Sequence, residues 1–135
     1  MQRIFILFTL VLVLASCHEK SKSERVAEDF LTDYLECRFA DAERVASPEV
    51  VGQMHWRASQ LTQADLDLLA ENEPQVSAED VENYGDSCIV YVKASDALLL
   101  DSIGQPGRIG TQRYCLTLEK VKGRNWKVTA LNSNL

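Results

Sequence analysis

The sequence predicts a two-layer α+β domain, with helices first and an antiparallel sheet after. Two patterns carry that expectation. Near the start, Val26, Ala27, Phe30, Leu31, Tyr34 and Leu35 recur at helical spacing. Near the end, Tyr114, Leu116 and Leu118 alternate with Cys115, Thr117 and Glu119, and Trp126, Val128 and Ala130 alternate with Lys127, Thr129 and Leu131. A chain of 135 residues with 46% hydrophobic content has room for one domain and enough apolar material for a modest core.

Ahead of these elements lies an apolar run, residues 4–14, broken only by Thr9 and preceded by Arg3. It is well short of the roughly 20 residues a helix needs to span a bilayer, and it fits the apolar region of a secretory signal. Its end, Leu14-Ala15-Ser16-Cys17, resembles a bacterial lipobox, with small residues directly before the first cysteine and after a leucine. The rival is an ordinary secretory signal with a coincidental cysteine. The lipobox resemblance implies cleavage before Cys17, lipid (palmitate among its chains) on that cysteine, and a domain tethered to a membrane. Each buried methylene contributes about 0.8 kcal/mol, so two or three chains hold far more firmly than one. Residues 1–16 are then a removed signal peptide, residues 17–22 the lipidated cysteine and a polar linker, and residues 23–135 the folded domain. No Asp follows Cys17, so the inner-membrane retention signal of enterobacterial lipoproteins is absent. The expected location is the outer membrane of a bacterial cell envelope.

Ser21 with Glu24 has capping-box spacing and opens the first helix. Residues 39–46 read as a short second helix with Phe39, Ala42 and Val45 on one side. Ser47-Pro48 starts a third, Ser as N-cap and Pro at the first helical position, running to about Gln60 with Val50, Val51, Met54 and Ala58 inward. Thr62 with Asp65 marks a fourth start, followed by Leu66, Leu68 and Leu69 before Pro74 forbids continuation. His55 has a pKa range suited to a general base. No Ser, Cys or carboxylate motif neighbours it, so a solvent-facing or core histidine is the plainer reading.

Residues 81–92 predict strand, tight turn and strand, with Gly85-Asp86 as the turn. Residues 97–100 are apolar but unassigned. Gly104, Gly107 and Gly110 read as loop glycines, since they match neither a Walker loop nor a dinucleotide fingerprint, and no cofactor is implied. In the closing hairpin, Leu118 is expected opposite Val128 and Leu116 opposite Ala130, which places the large apolar residues on one face.

The net charge is −6, with 7 basic and 19 acidic residues in 18–101 and 6 basic and 1 acidic in 102–135. An acidic body argues against nucleic acid, whose phosphates need a basic footprint. With Cys17 assigned to lipid, Cys37, Cys88 and Cys115 could form one disulfide in three pairings, or all be small buried residues. No CxxC or His-rich spacing suggests a metal site.

Several short stretches resemble the NTF2-like superfamily, in particular small bacterial lipoproteins of the DUF4878 type. They are Val26-Ala27-Glu28-Asp29-Phe30-Leu31, Phe39-Ala40-Asp41-Ala42 with Ser47-Pro48-Glu49, Tyr84-Gly85-Asp86-Ser87-Cys88-Ile89-Val90-Tyr91-Val92, and Gly123-Arg124-Asn125-Trp126-Lys127-Val128. The resemblance implies a cone, a strongly curved sheet wrapped around the first helices, with a pocket at its open end. No catalytic residue carries over from it, because fold does not fix function. The leading expectation is a non-catalytic envelope lipoprotein whose cone binds a small apolar ligand or an envelope protein. Tyr34, Trp56, Tyr91, Tyr114 and Trp126 are its candidate pocket lining. One alternative is an isomerase- or hydratase-like enzyme using His55, Asp65 or Tyr114 as acid or base. The other is a structural role through self-association, as in a homodimer.

Overall fold

The computed structural model describes residues 20–100, 104–122 and 125–134. Cys17, the signal segment and most of the linker lie outside the described residues. The first helix, α1 (Lys22–Leu35), starts where the capping box places it: Glu24 N donates to Ser21 Oγ at 3.4 Å, and Ser21 N donates to Glu24 Oε1 at 3.4 Å. Its buried face is Ala27, Phe30, Leu31 and Leu35, the stripe that a 3.6-residue period dictates. It ends in a Schellman arrangement, with Arg38 N donating to Asp33 O at 2.8 Å and Cys37 N to Tyr34 O at 3.2 Å. The left-handed position falls on Cys37 (φ 63°), where glycine is the usual occupant.

Helix α2 (Phe39–Glu43) is shorter than the predicted 39–46. The chain beyond it is taken by β-type pairing: Val128 N donates to Val45 O at 2.7 Å, and Ser47 N donates to Val128 O at 2.9 Å. Helix α3 (Pro48–Gln60) has the predicted bounds and Pro at its first turn, although the Ser47 hydroxyl turns to Thr129 O at 3.5 Å and does not cap. Val50 and Met54 are buried and Val51 is packed against the core, as expected. Ala58 is exposed, and Arg57 takes the inward place. Helix α4 (Gln63–Glu71) opens with the Thr62–Asp65 capping box, but its burial is inverted: Leu66 is 43% exposed, while Asp65 is buried.

The sheet is a four-stranded antiparallel meander, β1 (Gln75–Asn83), β2 (Ser87–Leu99), β3 (Arg108–Val121) and β4 (Asn125–Asn134), in sequence order. The unassigned apolar stretch at 97–99 is the end of β2, and Gly110, expected in a loop, lies in β3. Three register shifts bend it, one in β1 between Ala78 and Asp80, one in β2 between Ala94 and Ala97, one at Thr117/Leu118 opposite β4. The last corrects the predicted hairpin. Leu118 does face Val128, but Thr129 is an extra residue, so Leu116 pairs with Leu131 and Thr117 with Ala130. Leu131 thereby joins the core at 6% exposure.

Helix α1 lies on the concave face with α3, over Cys88, Val90, Val92, Ala94, Leu116, Leu118 and Val128. Each fully buried Leu, Val or Phe side chain contributes about 1.5–3 kcal/mol, so this single cluster is the main source of stability. Helices packed on a bent antiparallel sheet are the architecture that the sequence implies. Cys37, Cys88 and Cys115 are all free thiols, and no disulfide joins them.

Candidate ligand cleft

At one end of the concave face the core stops short of closing, leaving a cleft of about 350 Å³. Five elements form it. The end of α1 supplies Tyr34, α3 supplies Trp56 and Arg57, and the end of β2 supplies Leu99 with Leu100 beyond it. Gln112 and Tyr114 of β3 and Ser133 of β4 complete the wall. The β2 bulge is what aims Leu99 inward. Before it the even-numbered residues face the core, and after it Ala97 and Leu99 do. The Thr129 bulge does the same for Leu131, and hence for Ser133 two residues on.

Arg57 dominates the electrostatics. It is 5% exposed, and its Nη2 donates to Leu98 O at 2.8 Å. Its guanidinium carbon lies 5.0 Å from the centroid of the Tyr34 ring, a cation–π arrangement. Tyr34 is itself fixed by stacking on Phe30 (6.0 Å) and by the edge of Phe39 (6.3 Å). Burial raises the pKa of the Tyr34 hydroxyl, with the Arg57 charge opposing. The Cys37 thiol is likewise pushed up by burial against the pull of Arg57. Arg57 Nε is buried with no hydrogen-bond partner. Among the described residues no carboxylate forms a contact ion pair with Arg57.

Asp65, whose charge bears on Arg57 from a distance, is spent elsewhere. Its Oδ2 accepts from Thr62 N at 2.9 Å and its Oδ1 from Gly107 N at 2.9 Å. Burial works to raise its pKa, but these backbone bonds, the Thr62 hydroxyl and the Arg57 charge outweigh that and hold it below the usual carboxylate value. The bond to Gly107 clips the 104–107 loop against α4. A Cβ on Gly107 would stand 2.7 Å from Asp65 Oδ1 and 2.8 Å from Leu98 Cδ1, so only glycine fits. This clip also shapes a neighbouring depression that shares Trp56 and Leu100 with the cleft and ends on Pro106.

Of the five aromatic residues predicted to line a pocket, Tyr34, Trp56 and Tyr114 meet here. Tyr91 does not. It faces the convex side, where its hydroxyl donates to Glu82 Oε1 at 3.1 Å. Trp126 does not either: it packs against the opposite end of the core, with Lys120 Nζ 5.1 Å from its ring. The acid–base trio His55, Asp65 and Tyr114 is not brought together. His55 is on the surface, with Nε2 3.2 Å from Glu43 Oε1, and Asp65 faces Thr62 and Gly107. Sequence reasoning missed Arg57. Its signal was its position, because Val50, Met54 and Arg57 share one stripe at i, i+4 and i+7. Among the described residues no three His, Cys, Asp or Glu side chains gather as a metal ion would require. No helix among them is long and apolar enough to cross a membrane.

No protein-family model matches the chain, and no curated protein matches it. Two of the solved structures similar to it are these. One is described as an NTF2-like protein involved in plasmid conjugation, at 18% identity and a TM-score of 0.45, covering 84% of this chain and 48% of that one. The chain thus spans about half of that neighbour's length. The other is a TraE protein in complex with 2-(2-furyl)isonicotinic acid, at 13% identity and a TM-score of 0.45, covering 85% of this chain and 98% of that one.

Proposed function

We propose that this chain is a lipid-anchored lipoprotein of a bacterial cell envelope whose NTF2-like body is a non-catalytic binding domain. The cleft carries the binding half of that reading. It is concave, with Tyr34, Trp56, Tyr114 and two leucines in its wall beside Arg57, Gln112 and Ser133, and most of the surface it exposes is polar. Its volume suits a ligand the size of a single ring system. The Leu14-Ala15-Ser16-Cys17 motif supports the anchoring half, with lipid on Cys17 and an outer-membrane location. Among the described residues His55 bonds Glu43 on the surface and Asp65 bonds Thr62 and Gly107, so neither joins Tyr114 as an acid–base pair, which favours binding over catalysis.

Each half has its own test. Replacing Cys17 with Ser should move the protein out of the membrane fraction, and unchanged fractionation of that variant would remove the anchor. A panel of single-ring acidic, basic and neutral compounds, screened by NMR against the full chain in mild detergent, should contain binders whose signal is lost in Trp56→Ala. Trp56 is 50% exposed, so the variant keeps its fold. Binders that ignore Trp56→Ala, or no binders at all, would remove the cleft reading.

A further inference from the structure

We propose that the cleft recognises a small carboxylate carried on a flat, ring-sized body, with the carboxylate seated against Arg57. The inference rests on the reading of this cleft as a binding site and names the chemistry of its occupant.

Three observations converge on Arg57. It is almost wholly buried, and it lines the cleft. Its Nη2 donates to Leu98 O at 2.8 Å and the Tyr34 hydroxyl and Cys37 thiol lie against the same guanidinium, while its Nε has no partner. The nearest carboxylate that acts on it, Asp65, is tied up by two backbone amides, and no contact ion pair to Arg57 exists among the described residues. A guanidinium in this state is preorganised. The Leu98 carbonyl and the Tyr34 ring fix its plane, so an arriving carboxylate meets an unpartnered Nε–H on a guanidinium whose ordering cost has already been met by folding. The aromatic walls then decide what the carboxylate is attached to. Tyr34, Tyr114 and Trp56 offer ring faces and edges to a planar apolar body, with Trp56 half open to solvent as the outer wall. A free oxyanion such as phosphate would meet Arg57 and the polar part of the lining but leave the ring faces unused.

The test uses the full chain in mild detergent with benzoate as probe, benzamide as its neutral counterpart of the same shape, and inorganic phosphate as the ringless anion. Benzoate should bind about tenfold or more tightly than benzamide, as expected for a hydrogen bond to a charged group. Phosphate should bind more weakly than benzoate, and the Arg57 Nε–H resonance should shift as benzoate saturates. Arg57→Met, which keeps an apolar stem over Tyr34, should erase the difference between benzoate and benzamide while circular dichroism stays unchanged. If that variant fails to fold, Trp56→Ala supplies the second arm: it should weaken benzoate about tenfold with the fold intact. Equal binding of benzoate and benzamide would overturn the carboxylate assignment and leave the cleft as a neutral-ligand site. Phosphate binding as tightly as benzoate would overturn the ring. No binding by either aromatic probe would overturn this inference, while the binding-domain reading beneath it falls only if the wider panel also yields no binder that Trp56→Ala loses.

Discussion

Asp65 Oδ1 accepts the Gly107 N–H at 2.9 Å, joining the first turn of α4 to the loop that precedes β3. The contact leaves no room for a side chain, because a Cβ on Gly107 would approach Asp65 Oδ1 to 2.7 Å and Leu98 Cδ1 to 2.8 Å. Gly107→Ala should therefore destabilise the protein by about 1–3 kcal/mol, the usual range for overpacking. Urea unfolding measures it, and an unchanged midpoint would mean that the loop is free to move away from α4.

The same carboxylate should give the fold an acid limit. Its pKa lies below the ordinary value in the folded chain, because its hydrogen bonds and the Arg57 charge outweigh burial. A depressed folded pKa contributes stability that is fully present above the unfolded value and is lost as pH falls through the folded one. Unfolding free energy should thus decline below about pH 4, and Asp65→Asn should flatten that decline. An identical acid limb in the variant would assign the loss to other carboxylates.

The β4 bulge is open to a paired substitution. With Thr129 as the extra residue, Leu131 faces Leu116 in the core and Ala130 sits opposite Thr117 on the other side. Leu131→Ala should cost about 2–5 kcal/mol, while Ala130→Ser should stay within about 0.5 kcal/mol of the parent. The reverse order would restore the unbulged hairpin.

The capping box at Ser21 is a local feature with a local cost. Its hydroxyl accepts from Glu24 N at 3.4 Å, and Ser21→Ala should lower stability by about 1 kcal/mol. Thermal unfolding of the variant reads this directly, and no shift would mean that α1 is held by packing alone.

These residues also mark how far the sequence was legible. The starts of α1, α3 and α4 were readable because caps and Pro at a first turn act over three or four residues. Ser21 with Glu24, Ser47-Pro48 and Thr62 with Asp65 sit where the helices begin. Register over a longer span was not, because one added residue at Thr129 or between Ala94 and Ala97 flips every side chain beyond it, and nothing local announces it. Which face of α4 turns inward was not readable: the helix is anchored by the polar Asp65 and leaves Leu66 half open. The cleft was half legible. Aromatic residues could be named as lining, but which face and which end each takes depends on the fold: Tyr91 points outward by alternation between Val90 and Val92, and Trp126 lies at the far end. Arg57 was hidden by its charge. A basic residue on an apolar stripe was passed over in favour of the neighbouring Ala58.

The most direct measurement is a titration of the full chain with benzoate, following the two indole N–H resonances. Trp56 borders the cleft and Trp126 packs at the opposite end of the core, so each reports on one end of the molecule. Ligand seated against Arg57 should move the Trp56 signal saturably and leave Trp126 in place. A saturable shift at Trp126 with none at Trp56, or no saturable shift at either, would contradict a binding site in this cleft.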